Sequence, residues 1–342
     1  MKMINFMCKI SGGILVELLE SLKQKIQGKE IKIVFPEATD DRILGAVVGL
    51  KREDLVTPIL IGNKEEVLTI AKDKGFDIEG IEILDPENYD AIDELVESFV
   101  ERRKGKATEE DAREILKDVN YFGTMLVHTD RADGLVSGAI HSTGDTVRPA
   151  LQIIKTREGV TRTSGAFVML RGQGKERYVF ADCAINPDPD KNVLAEIAVE
   201  SAKTAKMFDI DPKVAMLSFS TKGSAAGDQV DKVREAVEIA REKDPNLAVD
   251  GELQFDAAFV DTVANQKAPD SDIAGQANVF VFPELQSGNI GYKIAQRLGG
   301  FDAVGPILQG LNKPISDLSR GCNTSDVFKL AIITANQVLI ND

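Results

Sequence analysis

The chain is poor in the residues that usually carry conspicuous chemistry. Its 342 residues include two histidines, His128 and His141, three cysteines, Cys8, Cys183 and Cys322, and no tryptophan. No C-x-x-C occurs, and two histidines cannot build a zinc cluster, so no metal site is expected. An odd number of cysteines in so long a chain argues against a disulfide framework and for a reducing cytoplasm. No run of ~18 uncharged apolar residues is present, which excludes a transmembrane helix. The N-terminal MKMINFMCKISGG has no A-x-A-like cleavage site, so no secretory signal is read. Positive charge is also scarce. Lys and Arg number 41 against 55 Asp and Glu, a net charge of −14, which disfavours nucleic acid as a partner. An anionic substrate remains allowed, but only in a local pocket of Arg and backbone N–H groups. No G-x-x-x-x-G-K-[ST] and no strand-linked G-x-G-x-x-G occur, so neither a Walker A loop nor a dinucleotide fingerprint supports a nucleotide site.

What remains is an ordinary globular composition, 43% hydrophobic and 28% charged, long enough for about two domains. Helical spacing covers Ile14–Ile26, Asp40–Leu50, Glu65–Lys74, Thr146–Lys155, Val193–Phe208, Gln229–Glu242, Ile290–Leu298 and about Ser325–Leu339. Two or three helices are expected between Tyr89 and Thr129. Strand-like runs fall at Ile31–Phe35, Val56–Ile61, Ile81–Leu84, Leu135–Ala139, Ser164–Leu170, Arg177–Ala184, Val214–Phe219 and Asn278–Phe282. Such alternation predicts an α/β protein with mostly parallel sheet. A turn-like Lys155–Gly159 suggests a contiguous boundary near Thr156–Val160. Ligands in such folds bind beyond the carboxyl ends of the strands.

Two loops stand out. The first, Leu135–Pro149, leads from a strand through Ser142, Thr143 and Asp145 into a helix with Arg148. It reads either as an anion site or as simple capping of the helix start. The second, Asp317–Asp326, presents Ser319 beside Arg320. There, Asn323 as N-cap with Asp326 at the third helical position is the stronger reading of the pattern. The Ser220–Gly227 loop is Gly-rich without a phosphate motif, and Arg171–Glu176 reads as a hairpin turn. Glu101–Lys106 closes a helix with basic charge. Cys183 and Cys322 read as packing residues, although Arg320 could lower the Cys322 pKa. His128 and His141 read as structural.

Several stretches, in this order and spacing, resemble the phosphotransacetylase (phosphate acetyltransferase) family in its short single-unit form. They are Val34-Phe-Pro-Glu-Ala, Ala132-Asp-Gly-Leu-Val-Ser-Gly-Ala, the run from His141 to Thr156, Phe180-Ala-Asp-Cys-Ala-Ile-Asn-Pro, Gly251-Glu-Leu-Gln-Phe-Asp-Ala-Ala, Ala277-Asn-Val-Phe-Val-Phe-Pro, Gly288-Asn-Ile-Gly-Tyr-Lys and Leu318-Ser-Arg-Gly-Cys. The resemblance implies reversible acetyl transfer between acetyl phosphate and coenzyme A. It implies two three-layer α/β/α domains, like those of isocitrate and isopropylmalate dehydrogenases. These would be residues 1–157 with 309–342 and residues 158–308, with the active site in the cleft and a homodimer as the assembly. It implies catalytic roles for Ser319, Arg320 and Asp326, and substrate contacts from Arg102, Ser142, Thr143, Thr146 and Arg148. Arg103 is the alternative to Arg102. No cofactor is implied beyond the substrates, although stimulation by potassium or ammonium would fit the family.

The chemistry asks for such groups. A thiol of pKa ~8.5 is only a few per cent thiolate at pH 7, so a base helps, and the resemblance nominates Asp326. An ordinary Asp, pKa ~3.9, lies far below the thiol, and full proton transfer would cost about 6 kcal/mol. The proton must therefore move as the C–S bond forms, or the carboxyl must be raised. Arg320 is accordingly expected to face the substrate more than Asp326. Direct thiolate attack needs no acyl-enzyme, with Cys322 as a minor alternative carrier. The competing readings are a phosphate butyryltransferase or broader acyltransferase, an oxidoreductase of the related fold, and a non-catalytic acetyl-CoA sensor.

Overall fold

The computed structural model describes residues 13–172 and 175–341. Its elements run α1 (Gly13–Ile26), β1 (Lys32–Phe35), α2 (Asp41–Arg52), β2 (Thr57–Ile61), α3 (Lys64–Lys74), β3 (Glu82–Leu84), α4 (Ile92–Arg103), α5 (Glu109–Ile115), α6 (Val119–His128), β4 (Gly134–Ser137) and α7 (Thr143–Pro149). A π-helical turn, Ala150–Ile154, continues α7. There follow β5 (Ser164–Arg171), β6 (Glu176–Ala181), α8 (Lys191–Met207), β7 (Val214–Leu217), α9 (Asp228–Lys243), β8 (Val249–Leu253), α10 (Phe255–Phe259), α11 (Asp261–Lys267), β9 (Val279–Val281), α12 (Leu285–Arg297), β10 (Asp302–Gln309), β11 (Ile315–Asp317) and α13 (Thr324–Asn341). No helix among the described residues is long and apolar enough to cross a membrane.

The strands form two sheets. One has the order β11-β4-β1-β2-β3 and is parallel throughout. The other has the order β10-β5-β6-β9-β7-β8, antiparallel from β10 to β6 and parallel from there on. Ile33, Val34 and Phe35 are all buried, as a parallel strand covered on both faces requires. In α2, Ile43, Leu44, Val47 and Leu50 form the inward stripe, and the Asp40 side chain accepts the Arg42 amide to start the helix. One cluster of buried side chains runs from α1, α2 and α13 into β5, β6 and α8, so the two sheets share a core. The chain returns to the first sheet through β11, and α13 then packs on α1 and α2.

The alternation of strands and helices expected from the sequence is what forms. The elements it does not reveal are polar, interrupted by proline or only a few residues long. Strand β8 reads Val-Asp-Gly-Glu-Leu, yet it is wholly buried. Its Asp250 is paired with Lys222 and Arg241, and Glu252 accepts hydrogen bonds from Ser220 and the Gly223 amide. Those bonds also explain the Ser220–Gly227 loop, whose donors are turned onto Glu252. Strand β10 contains Pro306 and lies at the sheet edge, where a missing N–H is tolerated. Strand β11 has only three residues, too few for any period. The helix expected from Thr146 starts three residues earlier because Ser142 and Asp145 form a reciprocal capping box. Arg171 and Glu176 pair across β5 and β6, as a hairpin demands, and their side chains join in a bidentate ion pair.

Strand β4 ends at Ser137; the next residue, Gly138, sits at φ +106°, and a Cβ there would come within 2.6 Å of Asp317 Oδ1 and 2.7 Å of the Leu318 amide nitrogen. Gly138→Ala therefore strains the backbone and forces β4 from β11. It is expected to lower unfolding free energy by about 1–3 kcal/mol, measured as a shift of the urea midpoint.

Candidate active site

Because β1, β4 and β11 are parallel, their carboxyl ends share one edge of the first sheet. The strand order reverses between β1 and β4, the switch point where such sheets hold ligands. Three segments meet there: the turn after β1, the β4–α7 loop and the β11–α13 loop. Polar bonds hold them together.

Glu37 follows β1 and is buried. Its carboxylate accepts the amides of Ala139 (2.8 Å), Ile140 (2.8 Å) and His141 (2.9 Å), and its Oε1 lies 2.9 Å from His141 Nδ1. Burial pushes this carboxyl up, but the imidazole and the three amides outweigh burial and hold it below its ordinary value. Arg42, in the first turn of α2, binds both other loops. Its guanidinium donates to the carbonyls of Ala139 (2.7 Å), Arg320 (2.9 Å) and Cys322 (3.1 Å). Asp40 grips the same guanidinium from behind. A third tie is the Thr143 hydroxyl, which donates to Asp317 Oδ2 at 2.6 Å.

These ties bring together most of the residues expected from sequence. Ser142, Thr143 and Arg148 lie on one of these segments and Ser319 and Arg320 on another, all exposed, and the Thr143–Asp317 bond ties the two segments directly. Ser319 begins a tight turn in which the Cys322 amide donates to the Ser319 carbonyl. Asp326 sits in the first turn of α13 and caps it reciprocally with Asn323, so the capping reading of that pattern holds. Ser142 likewise donates to Asp145 Oδ2 at 2.6 Å. The side chains of Arg148 and Arg320 make no hydrogen bond or ion pair among the described residues and are exposed.

Two expected contact residues are placed differently. Thr146 is buried under α7, with its Oγ1 unpartnered, and faces the interior instead of solvent. Arg102 spends two donors on the carbonyls of Ile153 and Ile154, closing the π-helical turn. Arg103, like Arg148, lies within electrostatic reach of Tyr121. Burial raises the Tyr121 phenol, and the guanidiniums of Arg148 and Arg103 both oppose it.

Cys322 is buried, and burial raises its thiol although Arg42 opposes the shift. Its Sγ lies 3.7 Å from Arg42 Nη1, so the nearby guanidinium is that of Arg42, not Arg320. This is the environment of a packing residue, not of an activated nucleophile. Cys183 is buried and raised further.

The sequence reading passed over Glu37, Arg42 and Asp317 and set His141 aside. Arg42 looks like any surface charge on an amphipathic helix. Glu37 was visible only as one letter of the Val34-Phe-Pro-Glu-Ala stretch.

The Glu37–His141 pair has a definite pH signature. Glu37 raises the His141 pKa above its ordinary 6.5, and Asp118 and Asp145 act in the same sense. Its stabilisation is therefore complete below the unfolded value and is lost as pH rises through the raised folded value. His141→Asn is expected to lower the urea midpoint more at pH 6 than at pH 9. Equal losses at both would show that the pair does not act as an ion pair.

Comparison with known proteins agrees with this geometry. The signature of the family described as "Phosphate acetyl/butaryl transferase" matches residues 17–335. The phosphate acetyltransferase of Bacillus subtilis (strain 168) is 64% identical over 325 residues, covering 95% of this chain and all of that protein. The crystal structure of a phosphotransacetylase from Streptococcus pyogenes superposes with a TM-score of 0.94 at 63% identity, covering 95% of this chain and 99% of that one. A phosphotransacetylase from Staphylococcus aureus superposes at 0.90 with 60% identity and the same coverage. With the family signature covering residues 17–335 and relatives of this similarity, the chain belongs to the phosphate acetyl/butyryl transferase family.

Proposed function

We propose that the chain is an acyltransferase that moves an acetyl group reversibly between acetyl phosphate and coenzyme A. The observation that carries this reading is the 64% identity to a phosphate acetyltransferase along that protein's whole length. The placement of Ser319, Arg320 and Arg148 on one strand edge supports it.

In this mechanism the thiol of coenzyme A attacks the acetyl carbonyl directly. Arg148 and Arg320, whose donors are uncommitted, hold the phosphoryl group and offset the charge that develops on the carbonyl oxygen. Ser319 holds the sulfur by a hydrogen bond. Asp326 accepts the thiol proton as the C–S bond forms, so that no free thiolate has to accumulate. Arg103 is the further guanidinium available to the anionic substrate, since Arg102 is engaged by backbone carbonyls. We place the reaction in a cleft between the two halves of a protomer, in a homodimer, as the family resemblance implies. The family description spans acetyl and butyryl transfer. One or two methylenes change binding by only ~1–3 kcal/mol, so rates with acetyl, propionyl and butyryl phosphate decide the acyl preference.

The test is thioester formation on mixing the protein with acetyl phosphate and coenzyme A. Asp326→Asn is expected to reduce kcat ~10²-fold or more while leaving coenzyme A binding nearly unchanged. An unchanged rate removes Asp326 as the base. Arg148→Ala is expected to raise the acetyl phosphate requirement and to cut the rate by ~10²–10³. An unchanged requirement returns Arg148 and its loop to a purely structural role. Tight coenzyme A binding without turnover of any short acyl phosphate would favour a sensor.

A further inference from the structure

Acetyl transfer to a thiol has a proton to place at both ends. The sulfur loses one, and the departing phosphate must gain one, or it leaves as a trianion. The residues named above account for the first proton only.

Asp317 is a buried carboxyl at this strand edge that the mechanism leaves unused. It ends β11 and lies two residues before Ser319. Its Oδ2 is 2.6 Å from the Thr143 hydroxyl, which lies at the start of α7, in an exposed residue. Its Oδ1 has no partner, and the buried Thr146 Oγ1 and Ser137 Oγ are also unpartnered. The neighbouring strand end, Glu37, shows what a buried carboxylate built to stay charged looks like, with three amides and an imidazole around it. Asp182 is similar, with four amides and the Asn186 side chain. Asp317 has no amide and no cation, only the bonded Thr143 hydroxyl and the Thr146 hydroxyl nearby. The groups that face it are Ser137 from β4, Thr143 and Thr146 from α7, and Glu37 from the β1 end, all neutral or negative.

We propose that Asp317, acting through the Thr143 hydroxyl, donates the proton that the departing phosphate needs. The inference rests on the acetyl phosphate reading above. As a neutral acid, Asp317 donates to Thr143, and Thr143 turns its own hydrogen outward to the phosphoryl oxygen. Arg148 Nη2 is at hand there, 3.8 Å from where a Cβ on the adjacent Gly144 would sit. As the C–O bond to phosphate breaks, the Thr143 proton passes to the leaving oxygen and the Asp317 proton passes to Thr143. As the C–S bond forms, Asp326 takes the thiol proton. One turnover leaves Asp326 one proton richer and Asp317 one poorer, and exchange with solvent resets both. The reverse reaction exchanges their roles. Burial raises the Asp317 carboxyl above its ordinary value, with only Thr143 and Thr146 opposing and Glu37 adding to the rise. That is the direction a proton donor requires.

The experiment compares kcat for the intact protein and for Asp317→Asn, Thr143→Val and Thr143→Ser at pH 8 and pH 6. Asn preserves the shape and the oxygen that Thr143 bonds, but it holds no transferable proton. Asp317→Asn and Thr143→Val are expected to lose ~10²-fold in kcat at pH 8 with the KM for coenzyme A unchanged. As pH falls, a growing fraction of the acyl phosphate carries its own proton, although as a mixed anhydride it ionises below the ~6 of phosphate esters. The loss is expected to shrink at pH 6 to less than about tenfold. Thr143→Ser, which keeps the hydroxyl, should retain near-normal turnover. An Asp317→Asn variant as active as the parent overturns the proposal. So does a loss of equal size at both pH values, which is the mark of a packing defect. If Asp317→Asn does not fold, the exposed Thr143→Val decides by the same two outcomes. An intact protein that forms no thioester overturns the acetyl phosphate reading, and the relay with it. An active one with a pH-independent loss overturns the relay alone.

Discussion

A buried carboxylate organises this site. Glu37 stands where β1 ends and draws in three consecutive amides of the segment after β4. A charge removed from water is tolerated only when such donors replace the lost hydration. The loop is therefore held wherever the carboxylate is, and the carboxylate is placed by the central strand of the sheet. Arg42 extends the same constraint to the third loop through backbone carbonyls. The rigid sheet and helix α2 thus set the positions of residues that lie on loops.

The overall charge of −14 makes an anion site look out of place. The local arrangement removes the difficulty. The surface carboxylates that produce the negative field are largely screened beyond a Debye length of ~8 Å at physiological ionic strength. At the strand edge three carboxylates are occupied: Asp40 by Arg42, Glu37 by amides and His141, Asp145 by Ser142. The guanidiniums of Arg148 and Arg320 remain uncommitted. A site of this kind attracts an anion by its unpaired donors and not by the field of the whole molecule.

The carboxyls near the edge also differ in how they are held. Glu37 is saturated with donors, Asp326 is tied into the first turn of α13, and Asp317 has one hydroxyl partner and an unpartnered oxygen. Carboxyl groups in such different surroundings suit different protonation states. That separation lets one sheet edge serve as both source and sink of protons.

The α/β alternation and most element positions were legible in the sequence because apolar periodicity reports directly on burial. The Ser319-Arg320 and Thr143–Arg148 segments stood out as small, hydroxyl-bearing loops, but their pattern alone reads as well or better as helix capping, and only the family resemblance assigned them roles. The polar strand β8 and the three-residue β11 were not legible, since their burial depends on partners far away in sequence. Nor could spacing choose between Arg102 and Arg103, which are adjacent on α4. Only packing against the π-helical turn sends one to the Ile153 and Ile154 carbonyls and the other towards Tyr121. The same holds for Glu37, Arg42 and Asp317. Each works through hydrogen bonds to residues about 100 to 280 positions distant. Such bonds exist only once parallel strands have brought their carboxyl ends to a common edge.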